Sequence, residues 1–398
     1  MKSDWHRYTR VWTLHSVFYS FSFTLSSTIY QAYAIRILKF DVDELGNAVF
    51  ITLAAVALGN FFAVPLVQRF RSRRVLLWKI FTSINITSWT LTGFSDLLYR
   101  DVFLLLLALA QLTGAIGGLA YSDTIADLIP KEMSIKIFSR VNVYTVTASL
   151  ISLIISFTVF SRYGFVLVSY RICYIIAISS AILSSAFLWF MRDLVRRDDI
   201  SLSITTIISR YRSIVIDGRC KHYITSLTMF TFFVNLPAAL WNYYIIKIFG
   251  GNELWITVNT ISSTFASAIG SYILSSLSHK LNPKKTVVYS TIPISFVPIL
   301  FLVSPTLETQ ALLNLYSGFS WAGFNLMISI YNLYLAGENR VYLVAVLGIL
   351  TNIGASAASR IGSAISTISL TAMQFIFIAS GLGRLAMFLY MKRKVPEI

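Results

Sequence analysis

Uncharged hydrogen-bonding side chains are embedded in long apolar runs of this sequence, where carboxylates are almost missing. Gln111, Asn235, Asn325 and Asn352 stand near the middle of such runs, as does Thr24. Moving an unpaired amide out of water costs roughly 2–7 kcal/mol. Each amide therefore either pairs with a neighbouring helix or faces a wet cavity where it can hydrogen-bond a solute. A second set, Tyr30, Gln31, Trp241, Asn242 and Trp321, combines rings with amides nearer the ends of the runs. It suits a cavity rim or outer gate, or an aromatic belt at a membrane interface. Two arginines also fall inside apolar runs. Arg360 sits among Ala357, Ala358, Ser359 and Gly362. A cation there requires an anionic solute, a carboxylate partner or a path to the surface. Arg384 precedes Lys392 by eight residues and is expected to snorkel toward the surface. His15, near the end of the first run, either titrates or is a satisfied structural histidine.

Reactive constellations are not visible. His6, His15, His222 and His279 are scattered, and Cys173 and Cys220 are the two cysteines. Without metal-ligand spacing, a glycine-rich phosphate loop or a paired acid and base, the sequence predicts no metal, no cofactor, no disulfide and no enzyme.

The elements that carry these residues follow from composition. Of 398 residues, 56% are hydrophobic and 13% charged, against about a quarter charged in soluble proteins. Mean hydropathy is +0.70. The charge deficit is spread along nearly the whole chain, so most of the chain belongs in hydrocarbon, where only helices and closed barrels satisfy the backbone. Long unbroken runs select helices. Twelve runs reach the roughly 20 residues a crossing needs: 11–35, 46–67, 75–95, 102–126, 141–161, 170–191, 223–246, 253–277, 286–304, 310–335, 341–365 and 369–391. The weakest break is the last, marked by Ser366, Thr367 and Ser369. The first run is too long for a cleavable signal.

The net charge of +16 is assigned to cytoplasmic loops, and no nucleic-acid partner is expected. One side of the bundle collects Arg69, Arg71, Arg73, Arg74, Lys131, Arg196, Arg197, Lys284, Lys285 and Lys392; the other has Arg36, Lys39, Arg100, Arg162, Arg171 and Lys247. This places both termini in the cytoplasm, in a multi-pass protein of the plasma membrane. The longest polar break divides the chain into 1–191, a central cytoplasmic loop 192–221, and 222–398. Within that loop Ile204, Ile207, Ile208, Tyr211, Ile214 and Val215 have helical spacing, either a helix lying flat on the inner leaflet or a partly ordered linker.

Shifting the first half by about 211 residues aligns 29–37 with 240–248 without gaps, pairing Tyr30 with Trp241, Gln31 with Asn242 and Arg36 with Lys247. The same offset pairs Gly59 with Gly270, Leu66 with Leu277, Arg69 with Lys280, Arg73 with Lys284 and Arg74 with Lys285. Shared glycines, amides and basic pairs at one offset point to duplication. Six crossings per half make the halves parallel about an axis along the membrane normal.

Two six-helix halves joined by a basic loop resemble the major facilitator superfamily. That family carries Gly-x-Leu-Ala-Asp-Arg-x-Gly-Arg-Lys between spans 2 and 3. Here the stretch runs from Val64 to Arg73, keeping Leu66, Arg69 and Arg73 but replacing the Asp with Gln68 and losing both glycines. The second copy keeps Lys280 and Lys284, again without the Asp. The resemblance implies an all-α membrane protein of twelve transmembrane helices in two pseudo-symmetric halves. It implies gating roles for Arg69, Arg73, Lys280 and Lys284, with Asp123 and Asp127 as substitute carboxylates. It also implies that spans 1, 4, 7 and 10 line a central cavity, which makes Thr24, Gln111, Asn235 and Asn325 candidate solute contacts, with Asn352 near mid-depth on span 11 as a further candidate. The antiporter branch with an Arg in span 4 and Gly-Pro in span 5 does not fit; Gly114, Gly117 and Gly118 are expected to serve close helix contact.

Two functions stand on this reading. One is secondary active or facilitative transport of a small solute by alternating access, by a monomer in the bilayer. The other is a non-transporting sensor or lipid-handling protein of the same fold. For coupling, Asp123 carries a proton, or the protein is a facilitator, or an ion is held by uncharged ligands.

Overall fold

The computed structural model describes residues 4–128, 134–193, 198–199, 203–276, 282–336 and 340–397. Helices account for nearly all of these, as the apolar runs require. They are α1 (Asp4–Arg36), α2 (Val42–Arg69), α3 (Arg74–Leu91), α4 (Arg100–Leu128), α5 (Ser134–Tyr163), α6 (Leu167–Trp189) and α7 (Ile204–Ile216). After these come α8 (Gly218–Asn235), α9 (Leu240–Tyr243), α10 (Glu253–Ser276), α11 (Pro283–Val303), α12 (Leu307–Ala336), α13 (Arg340–Ser366) and α14 (Leu370–Lys394). Among the described residues, eight helical segments are long and apolar enough to cross a membrane. The remaining long helices, α1, α3, α10 and α12, carry polar residues in their interiors, such as Ser22, Asn85, Asn259 and Asn314.

Helix ends follow capping chemistry. Asn282 caps α11 by accepting from the Lys285 N–H, with Pro283 at the first turn, where its missing N–H costs nothing. The weakest break in the sequence is a real one: the Ser369 side chain accepts from the Ala372 N–H at 3.0 Å and starts α14. The central loop forms a helix, α7, with Ile207, Tyr211 and Ile214 buried and Ile208 and Ile216 exposed. Burial pushes the Tyr211 phenol up from its usual pKa. Earlier in the same loop, the Ser72 N–H donates to Asp199 at 2.7 Å and holds that carboxyl below its usual range.

The chain divides into two compact units, Met1–Tyr33 with Leu58–Ile207, and Ala34–Ala57 with Ile208–Ile398. In the first, α3 packs on α4 and α6, and α5 on α6. At one end of this unit Trp12, Val67, Trp78, Ile125, Leu188 and Met191 make an apolar core. Gly114 and Gly117 do bring α4 close to α3: an added Cβ would stand 2.6 Å from Asn85 Nδ2 and 2.8 Å from Thr82 Oγ1.

In the second unit, α10 packs on α12, α11 on α12 and α14, and α8 on α13 and α14. Residues 34–57 belong here because they are tied to the later helices. Arg36 Nε lies 2.5 Å from Glu253 Oε1, Arg360 pairs with Asp43, and Gly46 packs against Ser363.

The repeat has a packing counterpart. A Cβ on Gly59 would meet the Leu112 carbonyl at 2.6 Å and Ala115 Cβ at 2.7 Å; one on Gly270 would meet Ala322 Cβ at 2.7 Å and the Phe319 carbonyl at 3.5 Å. In each unit the shared glycine lets a helix cross a pair of residues three apart on its partner.

Candidate functional site

Among the described residues, each unit holds a cavity large enough for a small molecule. The first, about 360 Å³, lies among α1, α3, α4 and α5 and includes His15, Tyr19, Asn85, Tyr121, Asn142 and Thr145. Several of its polar groups already have partners. Tyr19 donates to Asn85 Oδ1 at 2.8 Å, and Asn85 Nδ2 donates to the Ala110 carbonyl at 2.6 Å. His15 Nδ1 lies 2.9 Å from Ser184 Oγ, so it is a satisfied structural histidine. Gly118 opens onto this cavity; an added Cβ there would meet nothing.

At one end of the same unit Arg74 is fully buried and gathers three carboxylates. Its Nη1 lies 2.9 Å from Asp123 and 2.6 Å from Asp127, and its Nη2 lies 2.9 Å from Asp193. These carboxylates offset the cost of taking the guanidinium out of water. Asp123 and Asp127 thus find a basic partner one residue beyond Arg73, whereas Arg69 and Arg73 are exposed. The repeat partner of Arg74, Lys285, is exposed, so this cluster is not duplicated. Lys284 approaches Glu397 at 3.7 Å, and Lys280 lies outside the described residues.

The second cavity, about 270 Å³, is built around a broken crossing. Pro237 follows α8, residues 236–239 form a turn, α9 resumes at Leu240, and a π-helical turn covers Tyr244–Ile248. Proline lacks the N–H that would bond the carbonyl four residues earlier, which frees the Phe233 carbonyl. The Ala238 N–H bonds Asn235 instead of Val234, which frees a second. Pro298 in α11 frees a third, that of Ile294. Helix α14 satisfies all three from one face. Ser380 donates to Phe233 at 2.6 Å, and Arg384 donates to Val234 at 3.3 Å and to Ile294 at 3.0 Å. Gly381 and Gly383 permit this approach, with added Cβ atoms 2.7 Å from Ile299 and 2.1 Å from Phe233.

Arg384 therefore does not snorkel. It is 2% exposed, lines the cavity, and its Nε has no hydrogen-bond partner. The expectation failed because the carbonyls that hold the guanidinium come from two other crossings. Asn259, 6% exposed, shares the cavity with both of its side-chain polar atoms unpartnered. Asn242, Thr260, Ser263, Asn314, Ser317 and Trp321 add to its polar wall, while Trp241 and Phe301 meet edge to face at 4.7 Å.

Of the residues singled out from sequence, Trp241, Asn242 and Trp321 come together here. Their repeat mates Tyr30 and Gln31 do not line the first cavity; Gln31 is buried and donates to Tyr30, whose ring packs on Trp89. Asn235 and Asn352 donate to carbonyls four residues back on their own helices, Thr231 and Gly348. Gln111 is half-buried and Asn325 exposed, and neither lines these cavities. Arg360 has its carboxylate in Asp43. Sequence reading passed over Asn259 and Asn314, although Asn259 with Ser263, and Asn314 with Ser317 and Trp321, show helical spacing.

No family model and no curated protein sequence matches the chain. Solved structures do. The chain superimposes on a partially occluded, inward-open xylose transporter XylE from E. coli with a TM-score of 0.73 at 13% identity, over 99% of this chain and 98% of that one. The nucleoside transporter NupG gives 0.72 at 14%, over 96% and 99%. A POT family transporter in complex with 5-aminolevulinic acid gives 0.74 at 12%, over 96% and 95%. The chain is thus a multi-pass helical membrane protein with the fold these transporters share, the fold its sequence resemblance implied.

Proposed function

We propose that this chain moves a small solute across a lipid bilayer by alternating access, and is not an enzyme. The observation that carries this reading is the near-complete overlap, along both chains, with transporters of chemically different cargo. We place twelve crossings in two six-helix halves, 1–191 and 222–398, joined by the loop 192–221, with both termini in the cytoplasm of a plasma-membrane monomer. Counting α8, α9 and the π-helical turn as one crossing and leaving α7 aside, the fourteen helices supply that number. Rocking of the halves would exchange ion pairs that now join early and late sequence, Arg36 with Glu253 and Asp43 with Arg360.

Purified protein in liposomes, assayed by counterflow of labelled sugars, nucleosides, peptides and organic acids, tests the reading. Saturable flux above protein-free vesicles is expected for one class; a sensor or lipid-handling protein would give none. For coupling, we favour a proton carried by the Arg74 cluster, where three carboxylates face one guanidinium. Flux should then shift lumenal pH in the parent, and Asp123→Asn should lose that shift while keeping counterflow. An unchanged pH response in Asp123→Asn would remove Asp123 from the mechanism.

A further inference from the structure

Buried and half-buried arginines in this protein mostly carry their counter-ions with them. Arg74 has three aspartates, Arg36 has Glu253, Arg171 has Asp96 at 2.7 Å, and Arg360 has Asp43. Of the two fully buried arginines among the described residues, Arg74 and Arg384, Arg384 has no such counter-ion. Among the described residues its hydrogen bonds go to two carbonyls, no carboxylate pairs with it, and its Nε is unmatched. A guanidinium stays protonated in proteins, so a full positive charge faces a polar cavity inside a membrane bundle. Intramembrane ionisable residues of this kind mark solute paths and counter-ion sites.

We propose that the cavity of the second unit binds a small organic monocarboxylate, with its carboxylate on Arg384. The proposal rests on the transport reading only in making that anion the solute. One cation favours a monoanion over a phosphate dianion, and the planar guanidinium suits a carboxylate. Asn259 supplies an unpaired amide donor and acceptor in the same space. Trp241, Phe301 and Trp321 give the organic body an aromatic wall. The volume of about 270 Å³ fits a molecule the size of benzoate.

The test is equilibrium binding to the full chain in detergent, read by tryptophan fluorescence and thermal unfolding at constant ionic strength. The probes are benzoate, lactate and acetate, with benzamide as the neutral analogue of benzoate and inorganic phosphate as the competing anion. At least one monocarboxylate should quench saturably and raise the unfolding temperature; benzamide and phosphate should not. Arg384→Gln should weaken that binding at least tenfold. Because Arg384 also holds α8 and α11, this variant can fail to fold, so Asn259→Asp provides an independent arm. It puts a carboxylate inside the cavity and should raise the unfolding temperature of the free protein while abolishing the response. The proposal is overturned if no monocarboxylate binds, if benzamide or phosphate binds equally, or if Asn259→Asp binds as the parent does. Binding without flux would leave this site standing and sink the transport reading. Flux of an uncharged solute without carboxylate binding would do the reverse.

Discussion

At the scale of single residues, the decisive contacts are made by groups whose partners were orphaned elsewhere. Ser380 and Arg384 face Phe233, Val234 and Ile294 because two prolines and a turn left those carbonyls unbonded. A neutral hydrogen bond of this kind is worth about 1 kcal/mol net. Ser380→Ala should therefore lower stability by that order in thermal unfolding. The loss should shrink when Pro237→Ala is also present, since α8 can then bond the Phe233 carbonyl itself; additive effects would contradict the account. Among the amides, Asn235→Ala and Asn352→Ala should leave flux within about twofold, because each bonds its own helix. Asn259→Ala should reduce it more than tenfold, a difference of about 1.4 kcal/mol, without loss of folded protein. Sequence reading looked for amides in hydrocarbon and chose among them by depth along a run. Depth does not say which face a residue occupies. Helical spacing with neighbouring hydroxyls does not settle it either, since Asn352 has Ser356 at the same step as Asn259 has Ser263, so the face is read only from the packed helices.

At the scale of elements, the chain was largely legible. Unbroken apolar runs gave the helices, the basic breaks gave their ends, and Gly114 and Gly117 gave the close pairing of α3 with α4. The duplicated Gly59 and Gly270 proved to be matching helix crossings, each with backbone or Cβ atoms in the way of a side chain. Leucine at either position should cost about 1–3 kcal/mol through overpacking, measured by thermal unfolding. Leucine at Gly118, which opens onto free space, should cost much less. What the runs concealed is the break at Pro237. It interrupts no apolar pattern, and its consequence depends on α14, nearly 150 residues later in sequence. The Arg74 cluster was half legible for the same reason: Asp123 and Asp127 stood out, but the cation they share could be chosen only in three dimensions.

At the scale of the whole molecule, alternating access requires that ties between early and late sequence be broken in each cycle. Within the second unit these ties include the pairs Arg36–Glu253 and Asp43–Arg360, the bond from Arg36 to the Gly251 carbonyl and the contact of Gly46 with Ser363. An added Cβ on Gly46 would lie 2.3 Å from Ser363 Cβ, so a small outward shift brings two cysteines there to the roughly 3.5–4.5 Å of a disulfide. The native Cys173 and Cys220 are buried and can be replaced first. The most direct measurement is counterflow by the Gly46→Cys/Ser363→Cys protein in a background lacking the native cysteines. Reduced protein should transport; oxidised protein should stop, and reductant should restore it. Full-rate transport by protein shown to be crosslinked, or no flux in any state of the parent, would contradict the account.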